Sequence, residues 1–253
     1  MFPLIAAAIA PSLAIILYIF IKDKYDKEPI KYLAICFLLG ALGIIPAIFI
    51  EMYLENHYSI GDKIGLIALS AFFGVALPEE LVKFIALRYY IFKKSAFNEP
   101  YDGIVYAVMI SMGFATIENL FYVIDSGGGM HTALLRMFTA VPAHAIFGIT
   151  MGYFVGKAKF ESWNRASLLT QGFLLSFILH GAYDFFIFQN TYANLGILSF
   201  IGVCLGIYYC KKAINIQVEN SPFKNQPPNL SNDLSIEKED LLSDNIGSKT
   251  PDN

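Results

Sequence analysis

Glu79, Glu80 and Lys83 stand in the segment Leu77-Pro78-Glu79-Glu80-Leu81-Val82-Lys83-Phe84, inside an apolar run from Ile64 to Phe92. A run of that length is a candidate membrane span, and an ionisable group in its middle is costly unless paired or hydrated. At about 100° per residue, Glu80 falls about 100° and Lys83 about 40° from Glu79, so one ammonium lies between two carboxylates, one turn on. Two acids that close in a low-dielectric site resist double ionisation, so the pair can offer a base and an acid together. The competing reading is an ion pair that docks this helix onto its neighbours.

Further polar residues interrupt later apolar runs: Glu118-Asn119, Pro142-Ala143-His144, and His180-Gly181-Ala182-Tyr183-Asp184. Counted from one edge of each run, Glu79, Glu80, His144 and His180 all lie about 12 to 13 residues in, or about 18 to 20 Å deep. Glu118 and Asp184 lie about one turn deeper. Unrelated packing residues have no reason to share one level. His180 and Asp184 are four apart, on one helix face, so the carboxylate can orient the imidazole. Paired glutamates, two histidines, an orienting aspartate and a Glu-Asn pair supply what activation of a water needs: a base, a proton donor and oxyanion donors. Histidine and carboxylate also suit a divalent metal such as zinc, in which case His144, His180 and Glu80 are its ligands. The helical His-Glu-x-x-His pattern of many zinc proteases is absent.

The elements that must position these groups are membrane helices. The chain has 253 residues, 56% hydrophobic and 15% charged, with a mean hydropathy of +0.53. Apolar runs fall at roughly 3 to 21, 32 to 50, 64 to 92, 103 to 124, 133 to 156, 167 to 188 and 193 to 210. The fold class is therefore all-α: a polytopic membrane bundle of about seven transmembrane helices over residues 1–214. The first run carries its lysines (Lys22, Lys24, Lys27, Lys31) after it and not before it, so it stays as an anchor and is not a cleaved signal peptide. Basic residues then alternate between poor and rich loops, which places the N-terminus outside and the C-terminus in the cytoplasm. Pro78 withholds a backbone N–H and frees the carbonyl of Gly74, so the third helix is expected to loosen beside its charged residues; Pro142 and Gly148 permit a distortion near His144.

Other features are less eventful. Cys36, Cys204 and Cys210 have no disulfide or zinc spacing and read as packing residues. No repeat or phosphate-binding glycine pattern occurs, and a net charge of −3 suggests no nucleic-acid partner. Residues 215–253, with Pro222, Pro227, Pro228, Glu237, Glu239 and Asp240, read as a disordered cytoplasmic tail. Gly127-Gly128-Gly129 forms a flexible linker or a plain turn between two spans.

Glu79-Glu80-x-x-Lys83, Asp102-Gly103-Ile104-Val105-Tyr106 leading into Gly113-Phe114-x-x-x-Glu118-Asn119, Pro142-x-His144 with Gly152, and His180-x-x-x-Asp184 together resemble the PrsW intramembrane proteases. These are relatives of the type II CAAX prenyl endopeptidases in the CPBP group. The likeness covers about residues 70–190 and keeps the motifs in order. It implies regulated intramembrane proteolysis of a membrane-anchored regulator, in some members an anti-sigma factor, at the plasma membrane. It places the essential glutamate pair on Glu79 and Glu80, the late histidine on His180 and an additional histidine on His144. Glu118 stands where the prenyl-protease relatives carry a histidine.

The resulting expectation is an intramembrane endopeptidase, of glutamate or metal type, in which Glu79 or Glu80 activates a water held with His180. His144 and Asn119 donate to the oxyanion, Asp184 orients His180, Lys83 tunes the glutamates and Glu118 holds water. Its partners are the lipid bilayer and a membrane-anchored protein substrate. Two rival classes compete. A proton-coupled transporter would normally carry internal repeats with paired broken helices, which are not evident here. An inert membrane-binding or immunity-type protein would tolerate loss of both glutamates.

Overall fold

A computed structural model describes residues 1–57, 63–125, 129–189 and 195–225. Its first two helices are α1 (Phe2–Lys22) and α2 (Ile30–His57). The third span is composite: α3 (Ile64–Leu69), a π-helical stretch Ser70–Ala76, α4 (Leu77–Ile85), a second π-helical stretch Ala86–Tyr90 and a short 3₁₀ turn Ile91–Lys93. Then follow α5 (Pro100–Leu120), α6 (Gly129–Phe138), α7 (Ala140–Phe160), α8 (Arg165–Phe188) and α9 (Gly196–Glu219). With α3–α4 and α6–α7 each counted as one interrupted helix, seven helices are long and apolar enough to cross a membrane. The described residues contain no strand, as the lengths of the apolar runs predict.

The interruptions fall where prolines withhold hydrogen bonds. Pro78 opens α4 directly after the π-helical Ser70–Ala76, the loosening expected beside the charged residues. Pro142 cannot donate to the carbonyl of Phe138, and the helix breaks between them at Thr139 (φ −123°, ψ −78°). Helix α5 starts sharply. Glu99 and Asp102 form a capping box, Pro100 follows the cap, and Asp102 Oδ2 accepts from the Asn98 and Glu99 amides at 2.7 and 2.8 Å.

Helix α5 is the axis of the bundle: 78% of its span is buried within the protein, against 22% for α1 and for α9. It packs along α7 on one side and α2 on the other. At both crossings glycines let backbones touch. A Cβ on Gly103 would overlap the Gly152 carbonyl, and one on Gly113 would overlap the carbonyl of Phe37. Leu13, Leu17, Leu38, Leu42, Ile178 and Ile201 point outward from the surrounding helices, as a lipid-facing surface requires.

The lysine-rich loops gather at one end of the bundle, called here the basic end. There the α1–α2 connection is clasped to the start of α5. Asn98 Nδ2 donates to Asp26 at 2.7 Å, Tyr106 Oη donates to Glu28, and the Glu28 amide reaches Asp23 at 3.2 Å. Burial pushes the Asp23 carboxyl up to about 6, that of Glu28 to about 8 and that of Glu99 to about 7.

Three expectations fall partly outside the described residues. The glycine linker is seen only at Gly129 (φ +60°), with 126–128 outside. The expected tail is seen only to residue 225, and its first residues, to Glu219, continue α9. The seventh span begins at Gly196, with 190–194 outside. Cys36 and Cys210 are buried among apolar neighbours, whereas Cys204 faces outward.

Candidate active site

Depth counted along the sequence brings three helices, α4, α7 and α8, to one level, and there the structure joins them to one another and to Glu118 of α5. From α4, Lys83 Nζ donates to Glu79 Oε2 at 3.2 Å and Glu80 Oε1 at 2.9 Å, the bridging role its spacing predicts. The same ammonium reaches His144 Nδ1 on α7 at 3.2 Å and sits 4.2 Å above the ring of Phe114 on α5. An ammonium has no acceptor, so Nδ1 accepts and His144 carries its proton on Nε2. That nitrogen donates to Glu118 Oε2 on α5 at 2.8 Å.

His180 on α8 faces carboxylates on both sides: Nδ1 lies 2.9 Å from Glu80 Oε1, and Nε2 lies 3.3 Å from Asp184 Oδ2 and 3.9 Å from Glu79 Oε2. The orienting Asp184 is thus one turn along the same helix, as its four-residue spacing requires. Phe147 stacks on the His180 ring at 4.7 Å, and the two histidine rings lie 5.2 Å apart. Ser111 Oγ donates to the His144 carbonyl at 2.7 Å, which fixes α7 to α5 at this level.

The two glutamates differ in what they see. Glu80 is fully buried and its Oε1 is shared by Lys83 and His180. Glu79 lines a cavity of about 570 Å³, together with Glu118, Arg136, His144, His180 and Asp184. The cavity runs from this level toward the end opposite the basic loops, past Ile48, Tyr122 and Phe188.

Three placements change the sequence picture. Asn119, expected beside His144, is engaged elsewhere: its Nδ2 donates to the Ala8 carbonyl at 2.7 Å and its Oδ1 accepts from Arg136 Nε at 2.7 Å. It braces α1, α5 and α6 and offers no donor to the cavity. Arg136 of α6, to which the sequence motifs assign no role, holds Glu118 at 2.8 Å. Its place inside an apolar stretch just before Pro142 was the available signal. Glu51, at the end of the second apolar run, also lines the cavity; as a boundary residue it gave no signal.

Among the described residues, one group has metal-ligand geometry: Glu79, His144 and His180, whose ligand atoms lie within 4.8 Å of one another. The carboxylate of the set is Glu79, where the sequence pointed to Glu80. Two imidazoles and a carboxylate form a donor set that suits a catalytic zinc-type ion.

A family model described as PrsW family intramembrane metalloprotease matches residues 28–209. Several curated proteins named Protease PrsW are similar. That of Oceanobacillus iheyensis is 42% identical over 185 residues, 73% of this chain and 83% of its own length. That of Geobacillus kaustophilus is 40% identical over 184 residues (73% and 79%), and that of Bacillus subtilis 38% over 186 residues (73% and 83%). No solved structure matches the chain.

Proposed function

Because the chain belongs to the PrsW family of intramembrane proteases, we propose that it hydrolyses a peptide bond in or near the membrane segment of a membrane-anchored regulatory protein, such as an anti-sigma factor. In this reading it resides in the plasma membrane with the basic end in the cytoplasm, so the cavity opens toward the outer side.

The observation that carries this reading is the convergence of Glu79, His144 and His180 on the wall of one polar cavity at membrane depth. Hydrolysis there needs a hydrated recess that lipid alone does not offer. Glu79 is the glutamate that meets the water: it faces the cavity, takes the proton of the attacking water and returns it to the leaving amine. Glu80 accepts from His180 Nδ1 and fixes the ring, with Asp184 on the other nitrogen. Lys83 holds both glutamates and sets the His144 tautomer. The donor facing the developing oxyanion is Arg136, while His144 spends its one proton on Glu118. If a zinc-type ion is held, Glu79, His144 and His180 would be its ligands, Glu79 then serving as ligand in place of free base, and the ion would supply Lewis acidity toward the water and the scissile carbonyl.

The test uses the purified protein in liposomes with a library of single-span peptides whose helix-flanking residues are randomised, products being read by mass spectrometry. We expect cleavage by the wild type and losses on the order of 10²–10⁴-fold in Glu79→Gln and His180→Ala, with both variants still folded and inserted. Retained cleavage in Glu79→Gln would overturn the assignment of the base. Metal content of the same sample, and cleavage with and without chelator, separates a metal-held water from a glutamate-held one.

A further inference from the structure

A second recess of about 620 Å³ adjoins the catalytic cavity and shares Glu51, Val75, Tyr122 and Phe188 with it. It lies between the far end of α2 (Glu51, Leu54, Glu55) and the α3 and π-helical segment that follows (Leu66, Leu69, Ser70, Phe73). The two pieces of chain face each other across the recess. Its walls are apolar except for Ser70, Tyr122 and two carboxylates. Among the described residues that line it there is no lysine or arginine. Glu51 stands where the two cavities meet, half-buried; Glu55, one turn further out on the same helix face, is exposed. The cations that share a cavity wall with Glu51, Arg136 and His180, stand on the catalytic side, so toward the second recess its carboxylate meets apolar walls, and in a membrane protein such a residue marks a ligand path.

We propose that this recess is the subsite for the outer flank of the substrate, and that Glu51, backed by Glu55, selects a lysine or arginine there. The occupant is a stretch of the substrate chain running from the scissile bond out of the membrane, its apolar side chains against Leu66, Leu69 and Phe73 and its basic side chain at Glu51. The recess is continuous with the cavity at Glu79, so one extended segment spans both. The charge of the walls chooses a cation over an anion. This inference rests on the protease reading and adds the sequence preference that reading lacks.

The same peptide library tests it. Peptides cut by the wild type should be enriched in lysine or arginine at one position on the outer side of the cleaved bond. In Glu51→Gln the kcat/KM ratio of the best lysine peptide to its glutamine counterpart should fall on the order of 10-fold, the range for one close charge pair in an interface. Glu51→Lys should prefer glutamate or aspartate at that position, a gain that a misfolded protein cannot show. Wild-type cleavage without any basic preference, or a preference unchanged in both Glu51→Gln and Glu55→Gln, overturns the subsite and leaves the protease intact. Absence of all cleavage by the wild type removes the protease reading, and the subsite with it.

Discussion

Arg136 holds Glu118 at 2.8 Å and Asn119 at 2.7 Å, and Glu118 in turn accepts the His144 proton. The guanidinium therefore acts on the reacting groups through a carboxylate, as a positioning residue, besides facing the cavity itself. Arg136→Met leaves Glu118 without its strongest partner and free to turn, and loss of an orienting partner of this kind typically costs about 10–100-fold in activity. We expect the loss in kcat with KM little changed, and partial recovery in Arg136→Lys, which restores the charge but not the planar two-way grip. A variant with wild-type kcat would show that His144 holds Glu118 in place without the guanidinium. Residue types told much of this site in advance. Membrane carboxylates and histidines at one depth announced themselves, and the i, i+3 and i, i+4 spacings put Lys83 on both glutamates and Asp184 on His180. Spacing along one helix is silent about partners on another. Asn119 therefore looked like an oxyanion donor until Ala8 and Arg136 were seen to occupy it.

At the scale of elements, the joint between the α1–α2 connection and the start of α5 is the part most exposed to pH. Asp23, Glu28 and Glu99 have carboxyls raised by burial to about 6, 8 and 7. Asp26 adds negative charge beside Asp23 and Glu28, while the Asp102 hydrogen bond to Glu28 and the Lys27 ammonium near Asp23 act the other way. Each of the three is easier to keep neutral in the fold than in the unfolded chain. The stability they contribute is thus complete below the ordinary carboxylate range and is lost as pH rises through about 6 to 8. We expect amide hydrogen exchange in the 23–29 and 95–102 segments, corrected for its intrinsic rate, to be better protected at about pH 5.5 than at about pH 8.5. Equal protection at both would mean the clasp is held by its neutral hydrogen bonds alone. Apolar run lengths predicted the spans themselves, and Pro78 predicted the loosened turn, because both are local properties of the chain. The clasp was not legible. Asp23 and Glu28 belong to no motif, and Asp102 and Tyr106 appeared only as letters of one.

For the whole molecule, the catalytic level depends on how closely α5 and α7 approach, since Glu118 and Ser111 come from one and His144 from the other. That approach is set nearer the basic end, where Gly103 and Gly152 bring the two backbones into contact. Membrane helices gain little from burying apolar surface against each other, because lipid is equally apolar, so the packing of small residues carries much of the association. A side chain on Gly103 meets a carbonyl rather than a flexible neighbour and cannot be accommodated without separating the helices. We expect Gly103→Val to lower stability by about 1–3 kcal/mol, the usual range for overpacking. The shift should be read as an earlier midpoint when the detergent-purified protein is titrated with a denaturing detergent. Because α5 is the axis on which α2 and α7 both lean, cleavage should fall as well, although Gly103 lies several turns from Glu79. Gly103→Ala places the same Cβ against the Gly152 carbonyl and should move the midpoint in the same direction by less. An unchanged midpoint in Gly103→Val would mean that the two helices are held apart by other contacts and that the glycine pair does not set the geometry of the site.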